Sequence, residues 1–388
     1  MMKAIRLFGF AVFASFFSVN AQAEPTIFFA GMAYLGNSAD IENNFPYTSK
    51  LLPVRASGEQ SRLEEVLSEK IKSVEPRNYA LELSSLADIN QGQSLALALT
   101  LDRETTDVEP ICGRHKTVIN LGLQATVFDF ETMSVIGSYP MTIEYIDVTA
   151  KRPNKDELLA LVKDLYVGNL EVNVFDQFTS MLETIEVKRK YANRIQVTSV
   201  ELESKAVEFL PEKYSDNLDA FKTLIAQNLG KSLVKEHGIS ILPYTKGYAI
   251  GNKMATRFTN GEIFNFDIPE TDYEIELTVR GFKKVRFDKK AAGESVVYGS
   301  FINVKALEPL SGDVYIDENF KRGVTKVVPA CQTKASDWPA FQESLLGLLA
   351  EFAKQVKVRD NDWINSHASD SSVDDELEKF EDVLEMCK

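Results

Sequence analysis

Two hydrophobic periods alternate along this chain, and they do so twice. An apolar opening segment, Thr26 to Tyr34, is followed by Leu63, Val66, Leu67, Ile71 and Val74 at the three- and four-residue spacing of one helix face. Then Leu95, Leu97, Leu99 and Leu101 fall on alternate positions of LALALTL, the period of a strand. A long hairpin is predicted from Val118 to Phe130, turning near Thr132-Met133-Ser134 and returning through Val135 to Tyr145. Leu158, Leu159, Leu161, Val162 and Leu165 predict a closing helix.

The second half repeats this order. Ile195 to Leu202 reads as a strand, and Phe221, Leu224, Ile225, Leu229 and Leu233 as a helix ended by Gly238. Ile275, Leu277 and Val279 alternate in EIELTVR. Val296 to Leu307 enters a hairpin that turns at Pro309-Leu310-Ser311-Gly312 and returns through Val314 to Ile316, with a longer return to Val328 as the alternative. Phe341, Leu345, Leu348, Leu349 and Phe352 close the half as a helix, with Pro339 near its start, where a missing N–H costs nothing. The two opening stretches share loosely spaced Pro, Tyr, Ser and Leu, in FPYTSKL (45–51) and LPEKYSDNL (210–218).

Helices interleaved with alternating strands predict a sheet packed by helices. The expected fold class is therefore α/β (α+β): two tandem, diverged copies of a helix-packed, mostly antiparallel sheet domain, plus a C-terminal helix. The first domain is placed at 24–168, a linker helix at 169–193, the second domain at 194–358, and an acidic linker and terminal helix at 359–388. On that last helix Leu377, Phe380, Leu384 and Cys387 share one face, and Ser372 with Asp375 resembles a capping box.

The first 23 residues change the picture. Lys3 and Arg6 precede a 13-residue apolar run, Leu7 to Val19, and Ala21-Gln22-Ala23 stands before Glu24. This is the layout of a secretory signal peptide cleaved after Ala23, and the run is short for a span of about 20 residues. The expected location is the periplasm, or the exterior, as a soluble protein with no membrane span after cleavage. In that oxidising compartment Cys112, Cys331 and Cys387 allow one disulfide. The candidate pairing is Cys331–Cys387, with three free thiols as the alternative.

Composition narrows the function. The 388 residues carry 43 Lys and Arg against 57 Asp and Glu, a net charge of −14, which excludes the electrostatic footprint of a nucleic-acid binder. Three His and three Cys leave little for a metal site, and no cofactor is expected. HExxH, GxSxG and GxGxxG are absent. Gly230-Lys231-Ser232 lacks the earlier glycine of a phosphate loop and lies inside a predicted helix. Asp360 and Asp362 start like a calcium loop, but Ile364 and Asn365 stand where an oxygen ligand and a glycine are needed. Cys112, Arg114 and His115 form a local cluster of reactive types without an oxyanion hole or an orienting group. No enzyme activity is expected, and catalytic and metal residues are assigned to none.

One surface feature remains. Arg280, Lys283, Lys284, Arg286, Lys289 and Lys290 are six basic residues within eleven, with Phe282 and Phe287 between them. In an acidic protein this is a candidate site for a partner or an anionic ligand. The alternative is a solvated strand whose lysines prevent edge-to-edge pairing.

The order of strand, amphipathic helix, alternating strand and late hairpin resembles a small domain of bacterial envelopes. The residues are Leu63 to Val74 with LALALTL and VFDFETMSVIGSY, and Phe221 to Leu233 with EIELTVR and FINVKALEPLSGDVY. That family includes the periplasmic part of the curli secretion channel subunit, lipoprotein activators of penicillin-binding proteins, and the N-terminal domain of the Tol-system translocation protein. Its glycine-rich strand and lipidated cysteine are missing here, so no functional residue is carried over. The resemblance implies a non-enzymatic docking or accessory role in an envelope assembly, with an envelope protein as partner. The alternative is a periplasmic binding protein for an anionic small or polymeric ligand in the cleft between the halves.

Overall fold

The computed structural model describes residues 25–36, 41–55, 60–83, 95–168, 170, 173–244, 253–291, 293–332, 336–370 and 373–388. The predicted signal peptide and Ser372 lie outside the described residues. The first module contains β1 (Thr26–Leu35), α1 (Arg62–Ile71), β2 (Ala80–Leu83), β3 (Leu95–Ile111), β4 (Arg114–Asp129), β5 (Ser134–Thr149), α2 (Lys155–Val167) and α3 (Val174–Thr184). The second half contributes β6 (Ile195–Leu202), α4 (Leu218–His237), β7 (Lys253–Phe258), β8 (Ile263–Asp267), β9 (Tyr273–Lys290), β10 (Gly293–Leu307), β11 (Val314–Pro329), α5 (Trp338–Val358), α6 (Asn361–His367) and α7 (Val373–Met386).

Both copies use the same sheet plan. β1 lies parallel to β3, and β3, β4 and β5 follow antiparallel. β6 lies parallel to β9, and β9, β10 and β11 follow antiparallel. The likeness extends to irregularities. The register of β3 on β4 slips between Leu101 and Arg103, making Asp102 an extra residue. The register of β9 on β10 slips at Arg280, between Val279 and Gly281. Aligning Leu-Thr-Leu-Asp (99–102) with Leu-Thr-Val-Arg (277–280) puts both bulges at the same place. Two α/β sheet modules followed by a C-terminal helix are thus the architecture.

Local chemistry starts and stops the helices as the sequence suggests. Ser61 accepts from Glu64 N while Glu64 accepts from Ser61 N, and Asn154 and Glu157 do the same at α2, so both ends carry capping boxes. Gly238 ends α4 with φ +69°, a conformation that a Cβ disfavours.

The modules differ in how their sheets are covered. In the second, α4, α5 and α7 cover one face, and β10 shows strict alternation, with Val296, Tyr298, Ile302, Val304 and Ala306 buried. In the first, β3 is buried without interruption from Leu95 to Glu104. Its leucines face α1, α2 and α3, while Ala96 and Ala98 face a second core. That core comes from the other half of the chain. β7 pairs with β1 and β8 pairs with β5, so the hairpin completes a ring of strands β1-β3-β4-β5-β8-β7. Inside the ring Phe128 stacks on Phe266 at 4.2 Å, Phe130 and Phe258 stand edge-on to Phe128, and Phe264 stands edge-on to Phe130 and Phe258. Small residues at 96 and 98 leave room for these rings.

Residues 239–242 join the two sheets. Ser138 N donates to Ile241 O at 2.8 Å on β5, and Leu242 N donates to Ile195 O at 3.0 Å on β6. A covalent link adds to this. Cys112 and Gly113, both at positive φ, form the two-residue turn between β3 and β4, and Cys112 is disulfide-bonded to Cys331 after β11.

The predicted Cys331–Cys387 bridge is therefore corrected. Cys387 is a buried free thiol at the end of α7, where burial pushes its pKa up to about 12. α7 meets β11 near its start, where Glu376 accepts from Asp317 N. Cys331 lies past the far end of that strand, roughly 45 Å along an extended chain. The terminal helix docks as its apolar face predicts, burying Leu377, Phe380 and Leu384 in the second core. Two stretches read as linkers are built into the modules. α3 buries Val174, Phe175, Phe178 and Leu182 in the first core. Within 359–372, Asp360 caps α6, which buries Ile364 and stacks Trp363 on His367.

Candidate functional site

The six basic residues lie on the far part of β9, beyond the end of β6. Here β9 is paired only with β10, and the outer edge of β11 is likewise without a strand partner among the described residues. The region is a projecting three-stranded end of the sheet. β11 adds Lys321, Arg322 and Lys326, while the acids on these strand segments are Asp288 and Glu294. Positive charge is thus concentrated at one end of an acidic protein.

The pleat divides these cations into two sets. Lys284, Arg286, Arg322 and Lys326 share the face of Tyr298 and point toward α5. Lys284 pairs with Asp337 at 2.7 Å, and Lys326 pairs with Glu343 at 2.6 Å. Arg322 Nη1 donates to Gly347 O at 2.7 Å, and Arg286 meets Glu294 at 3.3 Å. Arg280, the bulge residue, meets Glu203 at 3.4 Å, and Lys290 meets Asp288 at 2.9 Å. These side chains serve the sheet and helix first. Lys283, Lys289 and Lys321 make no ion pair with a described residue. Lys283 and Lys321 stand on the open face with Val285, Val297, Phe301, Thr325 and Val327. Val327 is 71% exposed, and Phe287, the extra residue of a second bulge, is 59% exposed. The acidic terminal helix makes no described ion pair with this open face: its described ion pairs are Arg359–Glu381 and Lys388–Glu385.

The remaining candidates resolve differently. Cys112 is held in the disulfide, so no thiolate stands beside Arg114 and His115. Gly230 packs α4 against Ile241 and Pro140, so Gly230-Lys231-Ser232 is a helix contact and no loop. Among the described residues no group of three or more His, Cys, Asp or Glu is placed to hold a metal ion. No helix among them is long and apolar enough to cross a membrane.

His237 is buried where α4 meets α5, its Nε2 2.8 Å from Ala353 O. Burial holds its pKa below the ordinary value; the Ala353 bond and Glu381 oppose this, and Lys357 and Lys388 add to it. A histidine with a depressed folded pKa keeps its stabilising contribution above its unfolded pKa of about 6.5 and loses it as pH falls. Urea unfolding of wild type and His237→Gln at pH 7.5 and pH 5.5 checks this. The expected result is a larger acid-induced loss of stability in the wild type than in the variant.

The seam between the modules holds a group that sequence reasoning missed. The bulge at Asp102 places Asp102 and Arg103 on the same side of β3, both facing Gly122 of β4. Arg103 is 8% exposed, and its Nε and Nη1 have no hydrogen-bond partner. Glu104, next in sequence, points to the opposite face and accepts from Tyr47 N and Thr48 N at 3.0 and 2.8 Å. The signal was present in LALALTLDRE: three charges in a row inside a segment otherwise patterned for the core.

No protein-family model and no curated protein matches the sequence. Among solved structures, a neuraminyllactose-binding hemagglutinin homolog from Helicobacter pylori is similar with a TM-score of 0.25 and 14% identity, over 45% of this chain and 92% of its own. A minor lipoprotein from Acinetobacter baumannii has a TM-score of 0.22 and 10% identity, over 46% of this chain and 96% of its own. A protein from Xanthomonas campestris has a TM-score of 0.20 and 12% identity, over 45% of this chain and 89% of its own. These likenesses to bacterial proteins are coarse, and each reaches less than half of this chain.

Proposed function

We propose that this protein is an exported, non-enzymatic docking or accessory factor of an envelope assembly, and that it binds a protein partner through the projecting end of its second sheet. The observation that carries the reading is the open face of β9, β10 and β11. Lys283 and Lys321 flank Val285, Phe301 and Val327 there, and both strand edges lack a strand partner among the described residues. An exposed apolar patch rimmed by charge marks an interaction surface, and an uncovered strand edge takes an extended peptide by main-chain pairing. The cations select an acidic partner. The Cys112–Cys331 disulfide fits an oxidising compartment, as the signal-peptide reading requires.

Photo-crosslinking in cells tests the surface. A photoreactive residue at Val327 is expected to trap one stoichiometric envelope protein. The same residue at Lys354, on the solvent side of α5, is expected to trap none. The double substitution Lys283→Glu and Lys321→Glu should abolish the adduct. Equal labelling at both positions, or recovery of the protein alone, would sink the docking role. Mass spectrometry of the exported chain checks cleavage after Ala23.

A further inference from the structure

We infer, on the docking role proposed above, that the partner presents one extended strand, which adds antiparallel to the outer edge of β11 over Lys321–Val327. In an antiparallel pair, alternate residues turn both main-chain groups to the same side of the strand. The chain itself shows which residues of β11 turn outward. Asp317 N donates to Glu376 Oε2 at 3.0 Å, and Asn319 O accepts from Ser369 N at 3.0 Å. Both partners lie away from β10. The same phase holds Lys321, Gly323, Thr325 and Val327, because β11 pairs with β10 without a slip from Ile316 to Pro329. Among the described residues, no main-chain bond from another element reaches these four.

The edge has fixed ends. Ala368 bridges antiparallel to Phe320, so the open stretch starts where the chain's own segment stops. Pro329 and the Cys112–Cys331 disulfide close the other end. The stretch between is about 20 Å long. β9 offers no equal edge, because bulges at Arg280 and Phe287 interrupt it and a bulge turns an edge away from pairing. A second copy of β11 is disfavoured as well. Laid over the same residues, two copies set Arg322 against Lys326 twice, and like charges directly opposite repel.

Side chains on the open face select the incoming sequence. Lys321 is exposed and makes no described ion pair, so the residue opposite it is acidic. The residue opposite Gly323 is aromatic. A Cβ at Gly323 would stand 3.0 Å from Val297 Cγ1, so the valine leans over the glycine and gives a ring on the next strand an apolar seat. The residue opposite Val327 is aliphatic and covers a side chain that is 71% exposed. On the other face Arg322 and Lys326 are already held by Gly347 O and Glu343, so the intervening residues need no charge. From its N-terminus the strand is therefore aliphatic at position one, aromatic at position five and acidic at position seven.

A fluorescein-labelled heptapeptide with valine at one, phenylalanine at five, glutamate at seven and threonine elsewhere is the probe, read by anisotropy against the full chain. Saturable binding is expected. N-methylation at positions three and five removes donors on the pairing edge and should abolish binding. N-methylation at four and six alters only the outer edge and should leave it. Thr325→Pro removes an outward N–H and spares the β10 ladder, a place where an edge strand tolerates proline. It should lose the peptide and keep the wild-type unfolding midpoint; if it does not fold, the two N-methylated peptides decide. Lys321→Glu should prefer lysine to glutamate at position seven by at least about threefold. No binding of the parent peptide, or equal binding of the two N-methylated ones, would overturn the inference. So would an undiminished adduct at Val327 in cells carrying Thr325→Pro, which would leave the docking role on the open face alone. Peptide binding with no adduct in cells would support the edge as a strand acceptor and sink the docking role.

Discussion

Replacing Cys112 and Cys331 together with serine is expected to lower the stability of the folded chain by about 5 kcal/mol. The disulfide closes a loop of 219 residues, and the chain-entropy relation gives that magnitude for so long a loop. The bond ties the β3–β4 turn of the first sheet to the end of β11 in the second, so its loss acts on the joint between modules. Nearby, Lys213 pairs with Asp107, an exposed contact that contributes little once the tether is gone. Both cysteines are exposed, and a reductant reaches them in the native state. Urea unfolding followed by circular dichroism, with and without reductant, checks the prediction. Wild type in reductant should match the double serine variant. An unchanged midpoint would mean that the β7–β8 hairpin and residues 239–242 alone hold the modules.

Phe128→Ala is expected to cost 3–5 kcal/mol, the range for removing a buried aromatic ring. Phe128 is fully buried and stacks on Phe266, with Phe258 and Phe130 against its edge. The ring belongs to the first module and its partners Phe258 and Phe266 to the hairpin from the second half, so the deletion undocks that hairpin. Arg257 and Lys253 lie on β7, and trypsin is expected to cut the variant there first, before global unfolding. Leu165→Ala is the control, since it opens a cavity in the other core of the same sheet. It should destabilise without hastening cleavage in the hairpin. The same cleavage pattern in both variants would show that the hairpin is held by its strand pairing rather than by the aromatic cluster.

Much of this architecture was legible in the order of hydrophobic periods. The period-two run at Leu95–Leu101 and the period-3.6 faces at Leu63–Ile71 and Phe221–Leu233 are local properties. Each face needs only something apolar to pack on, so each element forms where its pattern lies. Gly238 as a helix end and the docking of Leu377, Phe380 and Leu384 follow from the same logic. The repeat was legible for the same reason, because two copies of one plan keep the same sequence of periods.

What the sequence by itself determined, then, is the repeated core elements of each half and the terminal helix, their order and the faces they must bury; β2, the β7–β8 hairpin and α6 were not among them. The tertiary structure decided which surfaces meet. The β7–β8 segment follows no period read from the sequence, and its pairing with the other module's sheet is set by contact in space, since a buried face is satisfied by any apolar surface of the right shape. Cysteine spacing does not report distance in space, and so Cys331 joined Cys112, 219 residues away, rather than Cys387. The basic run on β9 is continuous in sequence, but the pleat and the acids Glu203, Asp288, Glu294 and Asp337 split it into paired and outward-facing side chains. Arg103 is the clearest case. One extra residue at Asp102 reverses which side of β3 the following side chains occupy, and that reversal, set by pairing with β4 and by the module across the seam, places a guanidinium where no pattern of apolar residues predicts a charge.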